Sequence, residues 1–175
     1  MSAWARGASY TACVSDRPLR FPVLLLVYIG GFGLVFSTVL RGVYHAVNDW
    51  LALATAAAVH ALLAPFVNTR LDGTFVSYDG FPVEIVGECV GVYEVVIFSA
   101  CVLAYPASLR AKLIGLPLGT LAILVFNLVR IIGLLIVGRH QPEFFDFFHL
   151  YFWQGTLVLL VAAVWLAWLQ LIVRR

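Results

Sequence analysis

Three side chains stand out by type and by spacing. Cys89 opens one apolar run, Arg130 sits inside the apolar run from Leu113 to Gly138, and His149 stands just ahead of the next. A permanent charge within such a run is expensive in lipid, and chains keep one where it serves a function. A thiol becomes a strong nucleophile on losing its proton, and a nearby cation favours that loss. Arginine never loses its charge and offers a planar fork of donors suited to a developing oxyanion. Imidazole moves protons near neutral pH. Carried on three successive apolar segments, the three groups can meet at one membrane face as a cysteine-based acyl-transfer site. Three more residues are expected to support it. Glu94, about 8 Å beyond Cys89 along a helix, is the expected counter-charge for Arg130. Asn127, one turn before Arg130, can share its hydrogen bonds. Glu143, Asp146 and His149 recur at intervals of three, which would let Asp146 orient the imidazole.

Elements must hold these groups in place, and the composition says what kind. The 175 residues are 63% hydrophobic and 11% charged, with a mean hydropathy of +1.00, far from an ordinary soluble domain. The expectation is an all-α integral membrane protein of one domain over residues 1–175. Its length suits about five spans of ~20 residues, read at Pro22–Leu40, Trp50–Val67, Val90–Tyr105, Leu113–Gly138 and Leu150–Val173. Pro65 and Pro106 mark span ends, where a missing amide proton costs least. The segment Met1–Arg20 lacks a clear cleavage site, so Pro22–Leu40 is taken as a retained span. Between the second and third spans, Phe75-Val76-Ser77-Tyr78 and Phe81-Pro82-Val83-Glu84-Ile85 flank Asp79-Gly80. Asp-Gly between β-prone runs predicts a short extramembrane hairpin leading into Cys89.

Several function classes are excluded. The net charge is only +2 and the basic residues are scattered, which gives no footprint for nucleic acid. Cys13, Cys89 and Cys101 form no C-x-x-C pair and no metal-type spacing, so neither a metal nor another cofactor is expected. Cys13 and Cys101 read as packing residues, as do His45 and His60 or as loop groups, and His140 reads as part of a turn. Glu84 and Glu88 are expected to face water. The Gly30-Gly31-x-Gly33 cluster would allow close helix contact. With five spans and Arg130 set aside, five basic residues fall on each side, and the positive-inside rule gives no orientation. Taking Arg110, Lys112, Arg174 and Arg175 as cytoplasmic places the hairpin, Cys89 and His149 outside, together with an N-terminus bearing Arg6, Arg17 and Arg20.

The segment Val86-Gly87-Glu88-Cys89-Val90-Gly91, followed by Asn127-Leu128-Val129-Arg130-Ile131 and then His149, resembles the exosortase and archaeosortase family of membrane cysteine transpeptidases. The likeness runs from about Phe75 to Gly155, and the compact length is similar to exosortase H, the small form of that family. The resemblance implies a nucleophilic Cys89, an essential Arg130 and a proton-transferring His149 at the outer face of a bacterial inner membrane. It also implies substrates: exported proteins ending in a short motif, an apolar span and a basic tail. Many relatives carry a small hydroxyl residue after the cysteine, where this chain has Val90. The rival reading is a non-enzymatic assembly subunit in which Arg130 and Glu94 clamp two helices. A transporter with Arg130 as an anion site ranks below both, because the chain shows no internal repeat.

Overall fold

The computed structural model describes residues 19–39 and 41–174; Arg6, Cys13 and Arg17 lie outside them. Helix α1, Arg20–Leu34, continues through a wider-wound segment, Val35–Val39, and α2 follows at Arg41–Leu63. Next come strands β1 Thr69–Asp72, β2 Phe75–Tyr78 and β3 Phe81–Glu84, then a single tight turn, Gly87–Cys89. Helices α3, Val92–Ala104, and α4, Leu109–His140, form an antiparallel pair, and a last helical stretch, α5, runs Pro142–Val173.

The Asp79-Gly80 hairpin forms as predicted. Both turn residues take positive φ, 45° at Asp79 and 88° at Gly80, the combination that matches the twist of two paired strands. The register sets Val76 opposite Val83 and Tyr78 opposite Phe81. A third strand was not expected: β1 pairs antiparallel with the free side of β2, Leu71 opposite Val76. Its sequence, Thr69-Arg70-Leu71-Asp72, does not carry a hydrophobic alternation of its own, and pairing with β2 supplies the order.

The helix bounds also differ from the expected spans. Helix α2 begins at Arg41 rather than Trp50, because His45, Asn48 and Asp49 read as loop residues yet sit on a continuous helix. The third helix starts at Val92, after Gly91 has taken a φ of 83° to turn the chain into it. Among the described residues, three helices, α2, α4 and α5, are long and apolar enough to cross a membrane, while α1 and α3 are shorter apolar helices. The α3–α4 corner is closed by Pro106, by the Ser108 cap, whose Oγ accepts from the Ala111 N–H at 3.3 Å, and by Lys112 Nζ donating to the Leu103 carbonyl at 2.6 Å.

Two apolar clusters divide the molecule along α4. Near the α3–α4 corner, Phe98, Val102, Ile123, Val161 and Trp168 pack together. Helix α4 receives aromatic rings in notches there: a methyl at Gly115 would overlap Trp168, and one at Gly119 would overlap Phe98. At the sheet end, Ala52, Ala56 and Val59 of α2 meet Val76, Ile85, Val90, Ile131 and Leu135. The close contact expected at Gly30, Gly31 and Gly33 does not form among the described residues, since nothing lies within 4 Å of a methyl placed there.

Candidate active site

Cys89 ends the Gly87–Cys89 turn, its amide donating to the Val86 carbonyl at 2.8 Å. The turn is pinned from below. Asn127 Nδ2 donates to the Cys89 carbonyl, while Asn127 Oδ1 accepts from Arg130 Nη1 at 3.4 Å. Both are interior groups, Asn127 at 2% exposure and Arg130 at 5%. One amide therefore links the backbone of the cysteine to the guanidinium. The Asn127 side chain also lies beside Gly91, 3.5 Å from where a methyl would stand. Gly91 is required there for its positive φ, since a methyl would only touch Asn127 at ordinary contact distance.

Cys89, Arg130 and His149 line a single cavity of about 260 Å³. Its roof is the hairpin, Phe81 to Ile85, and its far wall carries Ile131, Leu134 and Phe145. The roof is locked to the helix, because Phe81 covers Gly138 so tightly that a methyl there would overlap the ring. Phe81 also packs on Phe145 with ring centroids 5.7 Å apart, and Phe145 in turn lies against His149 at 5.6 Å. Cys89 and Cys101 both carry free thiols. Position along α4 sets the depth: Arg130 lies about 32 Å above Leu109 at 1.5 Å per residue, close to the ~30 Å of a hydrocarbon core. The cavity therefore lies about one hydrocarbon thickness along α4 from its Leu109 end.

The supporting residues divide. Asn127 takes the expected position beside Arg130, with the added bond to Cys89 that spacing did not reveal. The expected pairing of Arg130 with Glu94 is absent: Arg130 Nε and Glu94 Oε2 are both buried without a hydrogen-bond partner. The two residues matched in depth, but Arg130 turns its fork toward Asn127. Asp146 is exposed and does not hydrogen-bond His149, whose ring rests on Phe145 instead. The helix widens at Phe148–Phe152, and the three-residue spacing leaves Asp146 near His149 by charge alone, without a hydrogen bond. Glu84 and Glu88 are exposed, and Glu84 also lines the cavity, a placement foreshadowed only by the hairpin leading into Cys89. Val90 is 2% exposed in the sheet-end core and is not among the residues that line the cavity. His60 Nδ1 pairs with Thr69 Oγ1 at 2.8 Å and His140 lies against the Tyr78 ring, both outside the cavity.

The chain is thus a mostly helical protein with apolar helices long enough to cross a membrane and a cavity lined by Cys89, a buried Arg130 and His149. The family model described as Transmembrane exosortase (Exosortase_EpsH) matches residues 11–170, and the chain belongs to the exosortase family. No curated protein and no solved structure matches it.

Proposed function

We propose that this chain is a membrane cysteine peptidase and transpeptidase that cleaves C-terminal sorting signals of exported proteins. The observation that carries the reading is the shared cavity of Cys89, Arg130 and His149. Cys89 Sγ attacks the carbonyl carbon of the scissile peptide as its proton passes to His149. Arg130 stabilises the oxyanion of the tetrahedral intermediate, which a buried fork does better than a solvated one. Collapse breaks the C–N bond, His149 returns the proton to the leaving amine, and a thioester remains on Cys89. Water or an amine then attacks that thioester and releases the thiol. Asn127 holds the Cys89 backbone and the guanidinium in register and is a positioning residue. The single domain, its place in a bacterial inner membrane and an outward-facing site belong to the same proposal.

A reporter ending in a sorting motif, an apolar span and a basic tail, co-expressed with the protein, provides the test. Cys89→Ala should abolish the mobility shift of the processed reporter while the protein remains inserted. Undiminished processing by that variant would overturn the assignment. A thiol-reactive probe gives an independent reading: Cys89 should label much faster than Cys101, and equal rates would count against an activated nucleophile.

A further inference from the structure

Helix α2 has the length and composition of a membrane span, yet its surroundings do not suit one. Its buried face, Asn48, Ala52, Ala56, Val59 and Leu63, packs on the sheet, on the Gly87–Cys89 turn and on α4 beyond Arg130. Both of its ends stay on the sheet's side. Near its start, Tyr44 and Tyr93 share a 2.9 Å hydroxyl bond and Asn48 lies against Gly87; near its end, His60 pairs with Thr69. The sheet beside it exposes Arg70, Asp72, Asp79 and Glu84, and an open charged sheet has no place within hydrocarbon. Helix α1, meanwhile, arrives from the opposite end: the Phe21 ring packs on Tyr105 at 6.2 Å and on Trp165 at 6.0 Å. By the time α2 begins, α1 has already carried the chain across.

We propose that α2 does not cross the membrane but lies along its surface on the Cys89 side, with its outward face docked on lipid. Four crossings remain, α1, α3, α4 and α5. The outward face supports this. Val43, Val47, Trp50 and Leu53 are 54%, 47%, 66% and 47% exposed, Ala54, Ala57 and Ala61 fill the rest, and the helix's charged residues, Arg41 and Asp49, fall off that arc. A wholly apolar helix face of this size does not rest in water. Charge and shape favour lipid as its occupant. A groove of about 620 Å³ opens between α1, the start of α2 and α3, with apolar walls from Ile29, Phe32, Val96 and Ile97 and with Arg41 and His45 at its α2 end. An acyl chain lying in that groove would bring its phosphate beside Arg41.

The four-crossing arrangement also settles the charge tally. By sequence position Arg6, Arg17, Arg20, Arg110, Lys112, Arg174 and Arg175 now share one side, against Arg41, Arg70 and Arg139 on the other. The positive-inside rule then places the basic group in the cytoplasm and the cavity outside. The earlier conflict over the N-terminal arginines disappears.

Depth measurement tests the inference, and it does so independently of the chemistry assigned to Cys89. Val47, Ala54 and Ala61 share the outward face at seven-residue intervals, so each is replaced by a spin-labelled cysteine in the full chain, with Cys13, Cys89 and Cys101 replaced by serine. In phosphatidylglycerol-containing vesicles, collision with oxygen and with a nickel chelate reports depth. A helix on the surface puts all three labels at one shallow depth. A crossing helix spreads them by about 21 Å, and that result overturns the proposal, as does exclusion of both reagents, which would mark a second copy as the occupant. Epitopes inserted at Gly42 and Gly73 of the unaltered-cysteine chain give the parallel reading in spheroplasts. Protease added outside should reach both, and access to one alone overturns four crossings.

Discussion

At the Tyr105 end, helices α3, α4 and α5 meet directly, rings seated in glycine notches and Trp168 Nε1 donating to the Ala111 carbonyl at 3.0 Å. At the sheet end, α4 still takes a ring at Gly138, from Phe81, but its other core contacts are small side chains of α2 and short strands, and two polar residues, Asn127 and Arg130, are buried among them. One helix thus runs from a region made for packing into a region made to hold charge. Interdigitated rings tolerate little change in volume, whereas a buried amide and guanidinium tolerate little change in hydrogen bonding. Substitutions in the two regions should therefore fail in different ways.

The largest effect is expected at the sheet end. Arg130→Lys keeps the charge but loses the fork, and processing should fall by about a hundredfold or more, the usual cost of a lost oxyanion donor. Thermal unfolding in detergent should move much less than the rate, and normal activity would reduce Arg130 to a packing role. Gly119→Val addresses the other region. Its methyls would meet the Phe98 ring, at an expected cost of about 1–3 kcal/mol in stability, with the rate per folded molecule retained. Asn127→Ala should slow processing by about tenfold to a hundredfold, equivalent to about 1.4–2.7 kcal/mol of barrier. The Cys89–probe reaction should slow with it, a readout that a purely structural role would not move. Asp146→Asn should change the rate by less than about twofold, since an exposed carboxylate without a fixed partner contributes little. A large loss there would restore the orienting role that spacing suggested.

The parts of this design visible in sequence were those with local signatures. Asp79-Gly80 announced its turn, the apolar runs announced helices, and an arginine within one of them pointed to the candidate cavity that it lines. What stayed hidden depends on rotation and on neighbours. Spacing gave Glu94 and Arg130 the same depth but carried no information on which way either faces. Neither the wider winding at Phe148–Phe152 nor the missing hydrogen bond between Asp146 and His149 left a mark in the spacing. Strand β1 exists because β2 has an edge to offer, and α2 reads as a span because hydropathy cannot distinguish a face against lipid from a face against a sheet.

Helix α4 continues from Leu109 to His140 and accommodates Pro117 within its run. It therefore behaves as a measuring rod. With the basic corner at Arg110 and Lys112 at one membrane boundary, as the proposed topology has it, the rod would set the guanidinium a fixed height above it. Under the proposed peptidase function, a polypeptide threaded alongside would present to Cys89 whichever bond stands at that height, so the length of its apolar stretch, as much as the letters of its motif, would decide where it is cut.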